Sequence, residues 1–147
     1  MQVDFYILST STEKERLIFC CRLIEKVLQS QSRLIVLCHN YQMLEALDQL
    51  LWSFKDSSFI AHLPIDEITD KTANVPVILT TDEVEINTDC HIIVKLQNKS
   101  LSQHWPLNET FRVLEIVDQD KTVLESSRNN FKDYKKRGFK IDVHKLD

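Results

Sequence analysis

Apolar residues fall along this chain in short blocks that alternate between two spacings, and the alternation predicts strands separated by helices. Val3 to Leu8 is an apolar run of strand length. Ser9-Thr10-Ser11-Thr12 follows, with Glu15 three residues after Thr12, the spacing at which a hydroxyl and a carboxylate cap a helix start reciprocally. Leu17, Cys20, Cys21, Ile24, Val27 and Leu28 then recur every three or four residues, one stripe on a helix of about 17 residues. Leu34 to Cys38 is too short for a helix and too apolar for a half-exposed strand, so it predicts a strand covered on both faces. From Tyr41 to Phe54 the helical spacing returns through Met43, Leu44, Leu47, Leu50 and Leu51.

The second half continues the pattern. Pro76 to Leu79 and His91 to Val94 read as two more strands, on either side of an acidic stretch, Asp82-Glu83-Val84-Glu85, expected to be a solvated connection. Asp66 to Val75 is expected to be a surface loop. Phe111 to Val117 leads through Asp118-Gln119-Asp120, a plausible cap, into a last helix that Gly138 closes in the left-handed position. Phe139 to Val143 is a final extended piece. Strand-helix repetition with strands apolar on both sides predicts an α/β fold: one Rossmann-like domain over residues 1–147, with an open, mostly parallel sheet and helices on both faces.

Composition narrows the function. With 43% hydrophobic and 27% charged residues the chain matches an ordinary water-soluble globule, and no apolar run approaches the roughly 20 residues that span a bilayer. The first residues lack the basic segment of a secretory signal, so the expected location is the cytoplasm, with no membrane partner. Cys20, Cys21, Cys38 and Cys90 lie in apolar stretches without C-x-x-C spacing and read as reduced core residues. A single glycine means that neither glycine-rich phosphate loop can be written anywhere in the chain, and no cofactor is expected. The Ser9-Thr12 turn, with His39 at another strand end, is the alternative place for a nucleotide or a small enzyme's substrate, but helix capping alone explains the turn. Cys38-His39 and Cys90-His91 suggest a metal or thiol site only until geometry is considered, because neighbours on a strand point to opposite faces. No serine, histidine and aspartate order or carboxylate pair stands out for catalysis.

Charge is segregated. Arg128, Lys132, Lys135, Lys136, Arg137 and Lys140 against Asp133 give net +5 within residues 128–140, so a chain of net charge -4 carries -9 elsewhere. At about 100° per residue with Leu124 at zero, Phe131, Ser127 and Tyr134 form the buried or edge stripe. Lys135, Arg128, Lys132 and Lys136 fan out beside it. Cations bordering an apolar edge suit a ligand with carboxylates and a hydrophobic anchor, with Arg128 gripping a carboxylate bidentately. Direct DNA binding is expected to be weak or absent, because it needs phosphate neutralisation over many contacts and the rest of this acidic surface repels polyanions.

Several segments together are familiar: Phe5-Tyr6, Leu47 to Phe54 leading to Ser58-Phe59-Ile60-Ala61-His62, Pro76 to Leu79, Phe111 to Asp118, and Arg128 through Tyr134 to Phe139. In content and order, over nearly the whole chain, they resemble the chi subunits of bacterial DNA polymerase III. The resemblance implies a Rossmann-like fold without a nucleotide site and a noncatalytic adaptor in the clamp-loader assembly. It implies two partners: the psi subunit, and the acidic C-terminal tail of single-stranded-DNA-binding protein, which ends in a hydrophobic residue with a free carboxylate. Carried over by position, Arg128 and Lys132 would hold the tail's carboxylates while Val117 and Phe131 border its hydrophobic pocket, and Lys135 is added to this expected tail site from its place on the same helix. Trp52, Phe59 and Ile60 would face psi, and a helicase docking there would not be separable from psi binding. This chain departs from the family pattern with Phe131 in place of an aromatic hydroxyl and Leu124 in place of a cation, with Lys121 or Lys135 near enough to compensate. Ala61 stands where proline is common, and the glycines that usually follow His62 are absent.

Overall fold

Among the described residues seven strands, all paired in parallel, form one sheet. The structure, a computed structural model, describes residues 1–30, 33–53, 60–69, 72, 74–83, 90–103 and 111–146. In chain order the elements are β1 (Gln2–Ile7), α1 (Glu13–Gln29), β2 (Leu34–Leu37), α2 (Tyr41–Ser53), β3 (His62–Pro64), a 3-10 turn (Ile65–Glu67), β4 (Val77–Thr80), β5 (Ile92–Lys95), β6 (Arg112–Val117), α3 (Lys121–Lys136) and β7 (Lys140–Lys145). Across the sheet the order is β3-β4-β2-β5-β6-β1-β7. The expected α/β sheet is therefore present, parallel throughout its described pairings.

Alternation along the strands divides the core. On β1, Val3 and Phe5 face α3, whereas Leu8, just past the strand, joins the cluster under α1 and α2. On β6, Val113 and Val117 face α3 while Leu114 and Ile116 face α1. The larger cluster joins Leu17, Cys20 and Ile24 of α1 with Leu44, Leu47 and Leu51 of α2 over Leu34, Val36, Leu79 and Val94. Each such side chain, taken out of water, contributes about 1.5 to 3 kcal/mol, so this double layer is the main source of cohesion.

Sequence reading had no strand at His62–Pro64. Three residues, one of them proline, carry no periodicity, and proline is tolerated because β3 is an edge strand with a partner on one side only. The acidic connection after β4 is not simply solvated either, since the Glu83 carboxylate accepts from the Ser102 backbone N–H at 2.6 Å. Val84 and Glu85 lie outside the described residues.

Candidate interaction surface

In an open parallel sheet the default ligand site is the crevice at the carboxyl ends of the strands where the crossovers diverge. Here that place lies between β1, whose crossover α1 runs one way, and β6, whose crossover α3 runs the other. The chain itself fills it. Gln119 bridges the two loops, its N–H donating to Thr10 O at 2.7 Å and its Nε2 to Leu8 O at 2.8 Å. Arg16, 4% exposed, donates Nε to Ile116 O at 2.9 Å and Nη2 to Leu96 O at 3.2 Å, plugging the ends of β5 and β6. Burial pulls the Arg16 guanidinium down, opposed by the nearby Asp118 and Glu115 carboxylates. Thr12 caps α1, accepting from Glu15 N at 3.3 Å while its hydroxyl donates to Glu15 Oε1 at 3.0 Å. Of the hydroxyls proposed for an anion, that of Thr12 is thus engaged in capping, as the spacing suggested, while Ser9 and Thr10 border an open cavity beside Phe19 and Arg22.

The cysteine and histidine pairs separate as strand geometry requires. Cys38 and Cys90 are buried, and His39 and His91 are exposed. Burial pushes the Cys38 thiol up to about 12 and the Cys90 thiol to about 11, which leaves neither as a ready nucleophile. Among the described residues no three histidine, cysteine, aspartate or glutamate side chains converge as metal ligands.

Helix α3 is fixed at both ends. Asp120 caps it, its carboxylate accepting from Thr122 N and Val123 N at 3.1 Å. At the other end Gly138 takes φ +81°, Gly138 N donates to Lys135 O at 3.1 Å and Phe139 N to Tyr134 O at 3.1 Å. These two bonds form a Schellman closure, and its usual apolar contact is Phe139 stacked on Tyr134 with ring centroids 5.8 Å apart. The left-handed φ is the reason glycine stands here.

Between those ends the helix presents two unlike sides. Tyr134 is fully buried, donating its hydroxyl to Glu115 Oε1 at 3.0 Å, and Glu115 pairs with Lys95 Nζ at 3.0 Å. Lys95 and Glu115 are register partners on neighbouring strands, both on the α3 face. Burial pulls the Lys95 ammonium down, the Glu115 carboxylate pushing the other way, and burial pushes the Tyr134 phenol up. None of this polar core was visible in the sequence pattern, nor was Asn130, 5% exposed, whose Nδ2 reaches Asn98 O at 3.4 Å. Phe131 is half-buried against Phe5, centroids 5.6 Å apart, and belongs with Val123 and Leu124 to the rim of a cluster that includes Val117, 2% exposed.

On the outer side Arg128, Lys132, Lys135 and Lys136 are exposed. Arg128 and Lys132 are four residues apart on one helix face, with Cβ atoms about 5 to 6 Å from each other. Among the described residues, the side chains of Arg128, Lys132 and Lys135 have no ion pair or hydrogen bond. Arg137 is different. Its Nη1 donates to Leu101 O at 2.6 Å and to Asp133 Oδ2 at 3.2 Å, and its guanidinium lies 4.7 Å from the centre of the Phe139 ring. The spare charge read from the sequence is therefore smaller than the count of cations, because Arg137 is spent inside the structure.

The second face implied by the resemblance lies at the other end of the sheet. Trp52, at the end of α2, is 54% exposed and packs on the His62 ring at 4.9 Å. His62 Nδ1 donates to Ile60 O at 2.6 Å, which places a proton on that nitrogen, and Nε2 lies 2.9 Å from Asp48 Oδ1. Ile60 is 4% exposed, inside the larger core cluster, and Phe59 lies outside the described residues.

A family profile described as DNA polymerase III chi subunit, HolC, matches residues 1–142. This chain belongs to the DNA polymerase III chi subunit family. Membership gives it the part of a polymerase III subunit with a role in DNA replication. It is similar to the DNA polymerase III subunit chi of Pseudomonas aeruginosa, 28% identical over 145 residues, covering 99% of this chain and 96% of that one. Among solved structures it resembles T4 UvsW with a TM-score of 0.71 at 12% identity, over 99% of this chain and 41% of that one. The C-terminal domain of the DEAD-box protein Dbp5 aligns with a TM-score of 0.65 at 14% identity, over 97% of this chain and 90% of that one. DEAD-box helicase domain 2 of Mss116p gives 0.60 at 11%, over 98% and 64%. This chain spans less than two thirds of the UvsW and Mss116p chains, and at such identities the likeness is one of fold alone. Among the described residues no helix is long and apolar enough to cross a membrane.

Proposed function

We propose that this chain is a noncatalytic adaptor of the clamp-loader assembly, one chi-like domain over residues 1–147 working in the cytoplasm. In this reading it binds the acidic C-terminal tail of single-stranded-DNA-binding protein on α3 and the psi subunit around Trp52. The observation that carries it is the row of exposed cations without side-chain partners, Arg128, Lys132 and Lys135, beside half-buried Phe131 and Leu124. Arg128 would take a terminal carboxylate bidentately, the lysines would answer the acidic residues before it, and the half-buried rim of Phe131 and Leu124 over buried Val117 would meet the apolar end. The adaptor reading draws further support from the strand-end crevice, which Gln119 and Arg16 occupy. Exposed Trp52 on its histidine platform supplies an aromatic anchor for psi, with Phe59 and Ile60 behind it in the chain.

Calorimetric titration with a synthetic acidic peptide ending in phenylalanine tests the tail surface. Arg128→Ala and Lys132→Ala each lose a charge-assisted contact, about 1.5 to 3 kcal/mol, or roughly one to two decades in affinity. Unchanged affinity in both variants overturns the assignment. For psi, co-purification on a tagged chain should disappear with Trp52→Ala while the fold, read by circular dichroism, stays intact.

A further inference from the structure

The α3 surface depends on how the helix is rotated about its own axis, and that rotation is weakly set by apolar burial. Only Asn130 and Tyr134 of its residues are buried. Val123, Leu124 and Phe131 are half-buried, and apolar contact is non-directional. A side-chain tip about 6 Å from a helix axis moves about 2 Å when the helix turns by 20°. That displacement breaks a bidentate hydrogen bond. Something directional must hold the angle.

Asn130 and Arg137 reach backbone carbonyls at the helix surface, and the buried hydroxyl of Tyr134 reaches the sheet itself. It donates to Glu115 Oε1 at 3.0 Å and accepts from Leu101 N at 3.2 Å, so both sides of the oxygen are engaged. Glu115 is itself held by Lys95 Nζ at 3.0 Å, and Lys95 also donates to Gln97 O at 3.0 Å. Lys95 and Glu115 sit on two adjoining inner strands and are at most 3% exposed. Bonds in such surroundings are strong when made and expensive when left open, which makes one helix angle much better than its neighbours.

We propose that Tyr134 is the positioning residue of the α3 binding surface, its hydroxyl contact with Glu115 fixing the helix angle that presents Arg128 and Lys132 to an acidic peptide. This rests on the reading of α3 as that peptide's site. Tyr134 does not touch the ligand: on the helical wheel it lies roughly 120° to 160° away from Arg128 and Lys132.

The test uses the full chain and the acidic peptide ending in phenylalanine. Tyr134→Phe removes one oxygen and keeps the ring between Phe5 and Phe139. It should lower affinity about fivefold, the value of one directional contact, and shift the backbone amide resonances of residues 124–135. A second variant, Lys95→Met with Glu115→Leu and Tyr134→Phe, replaces the polar network by apolar groups and should recover stability without recovering affinity. Wild-type affinity in Tyr134→Phe, or recovery of both properties in the triple variant, overturns the proposal. Arg128→Ala separates the two levels. If it weakens binding while Tyr134→Phe does not, only the positioning role fails; if it also binds as wild type, the peptide site itself is elsewhere.

Discussion

Arg137, one residue before the glycine that ends α3, gives its Nη1 to the carbonyl of Leu101 at 2.6 Å and is only 15% exposed along its side chain. It ties the helix end to the segment after β5 and lies over Phe139. Its neighbour Lys136 is exposed and makes no such contact. Arg137→Ala should therefore cost about 1.5 to 3 kcal/mol of stability through a lost charged hydrogen bond. Lys136→Ala should stay within about 0.5 kcal/mol. Urea unfolding midpoints decide it, and equal effects of the two substitutions would show that Arg137 is as solvated as Lys136.

Leu124 stands four residues before Arg128, on the apolar rim of the basic face. A cation here would extend the ladder made by Arg128 and Lys132, and a lysine can lay its stem over the same apolar surface. Leu124→Lys should raise affinity for the acidic peptide severalfold at low salt, with the gain shrinking at about 0.5 M salt as the charges are screened. Stability should fall by no more than about 1.5 kcal/mol, part of the burial of one leucine. A gain that persists at high salt would point to a contact other than charge.

How much could be read from the chain follows from what each feature leaves in sequence. Strands β2, β4 and β5 and helices α1 and α2 announce themselves because many apolar residues must repeat to cover two faces. Thr12, Asp120 and Gly138 are legible because capping is a local bargain between residues three or four apart. Lys95, Glu115 and Arg16 are not, because each is buried only by virtue of a partner 20 to 100 positions away. A hydropathy pattern assigns such residues to the surface. The same blindness counted Arg137 as spare charge and passed over Asn130. The outward row of Arg128, Lys132 and Lys135 was visible on a wheel, whereas the burial of Ile60 beside exposed Trp52 needed the sheet edge that places them.

Burial makes the four cysteines a chemical test of the core. The Cys21 and Cys38 thiols are pushed up to about 12 and Cys90 to about 11, chiefly by exclusion from water, and Cys20 lies well above its ordinary value for the same reason. At pH 8 the thiolate fraction of each is then about one part in a thousand or less. Iodoacetamide should leave the native chain unlabelled over hours and modify all four cysteines in urea, as read by intact mass. Rapid labelling of any one in the native state would mean that the helix or strand end that buries it opens locally.

Asp4 provides a prediction in pH. It is 1% exposed on β1 and accepts from Arg112 Nε at 2.6 Å and from His144 Nε2 at 3.0 Å, joining β6 and β7 across the strand between them. Burial alone would push its carboxyl up, but the hydrogen bonds from Arg112 and His144 and the charge of Arg112 outweigh it, and the group titrates below its ordinary value. As pH falls the unfolded chain therefore takes up this proton before the folded chain does. Asp4 stabilises the fold fully above the unfolded value of about 3.9, and its contribution is lost as pH drops through the lower folded value. Asp4→Asn should cost about 1.5 to 3 kcal/mol at pH 6, and the difference from the parent should narrow steadily below pH 4. Urea midpoints of both chains at intervals from pH 6 to pH 2.5 measure this. A gap that stays constant through that range would mean that the Arg112 contact is held by shape and not by the carboxylate's charge.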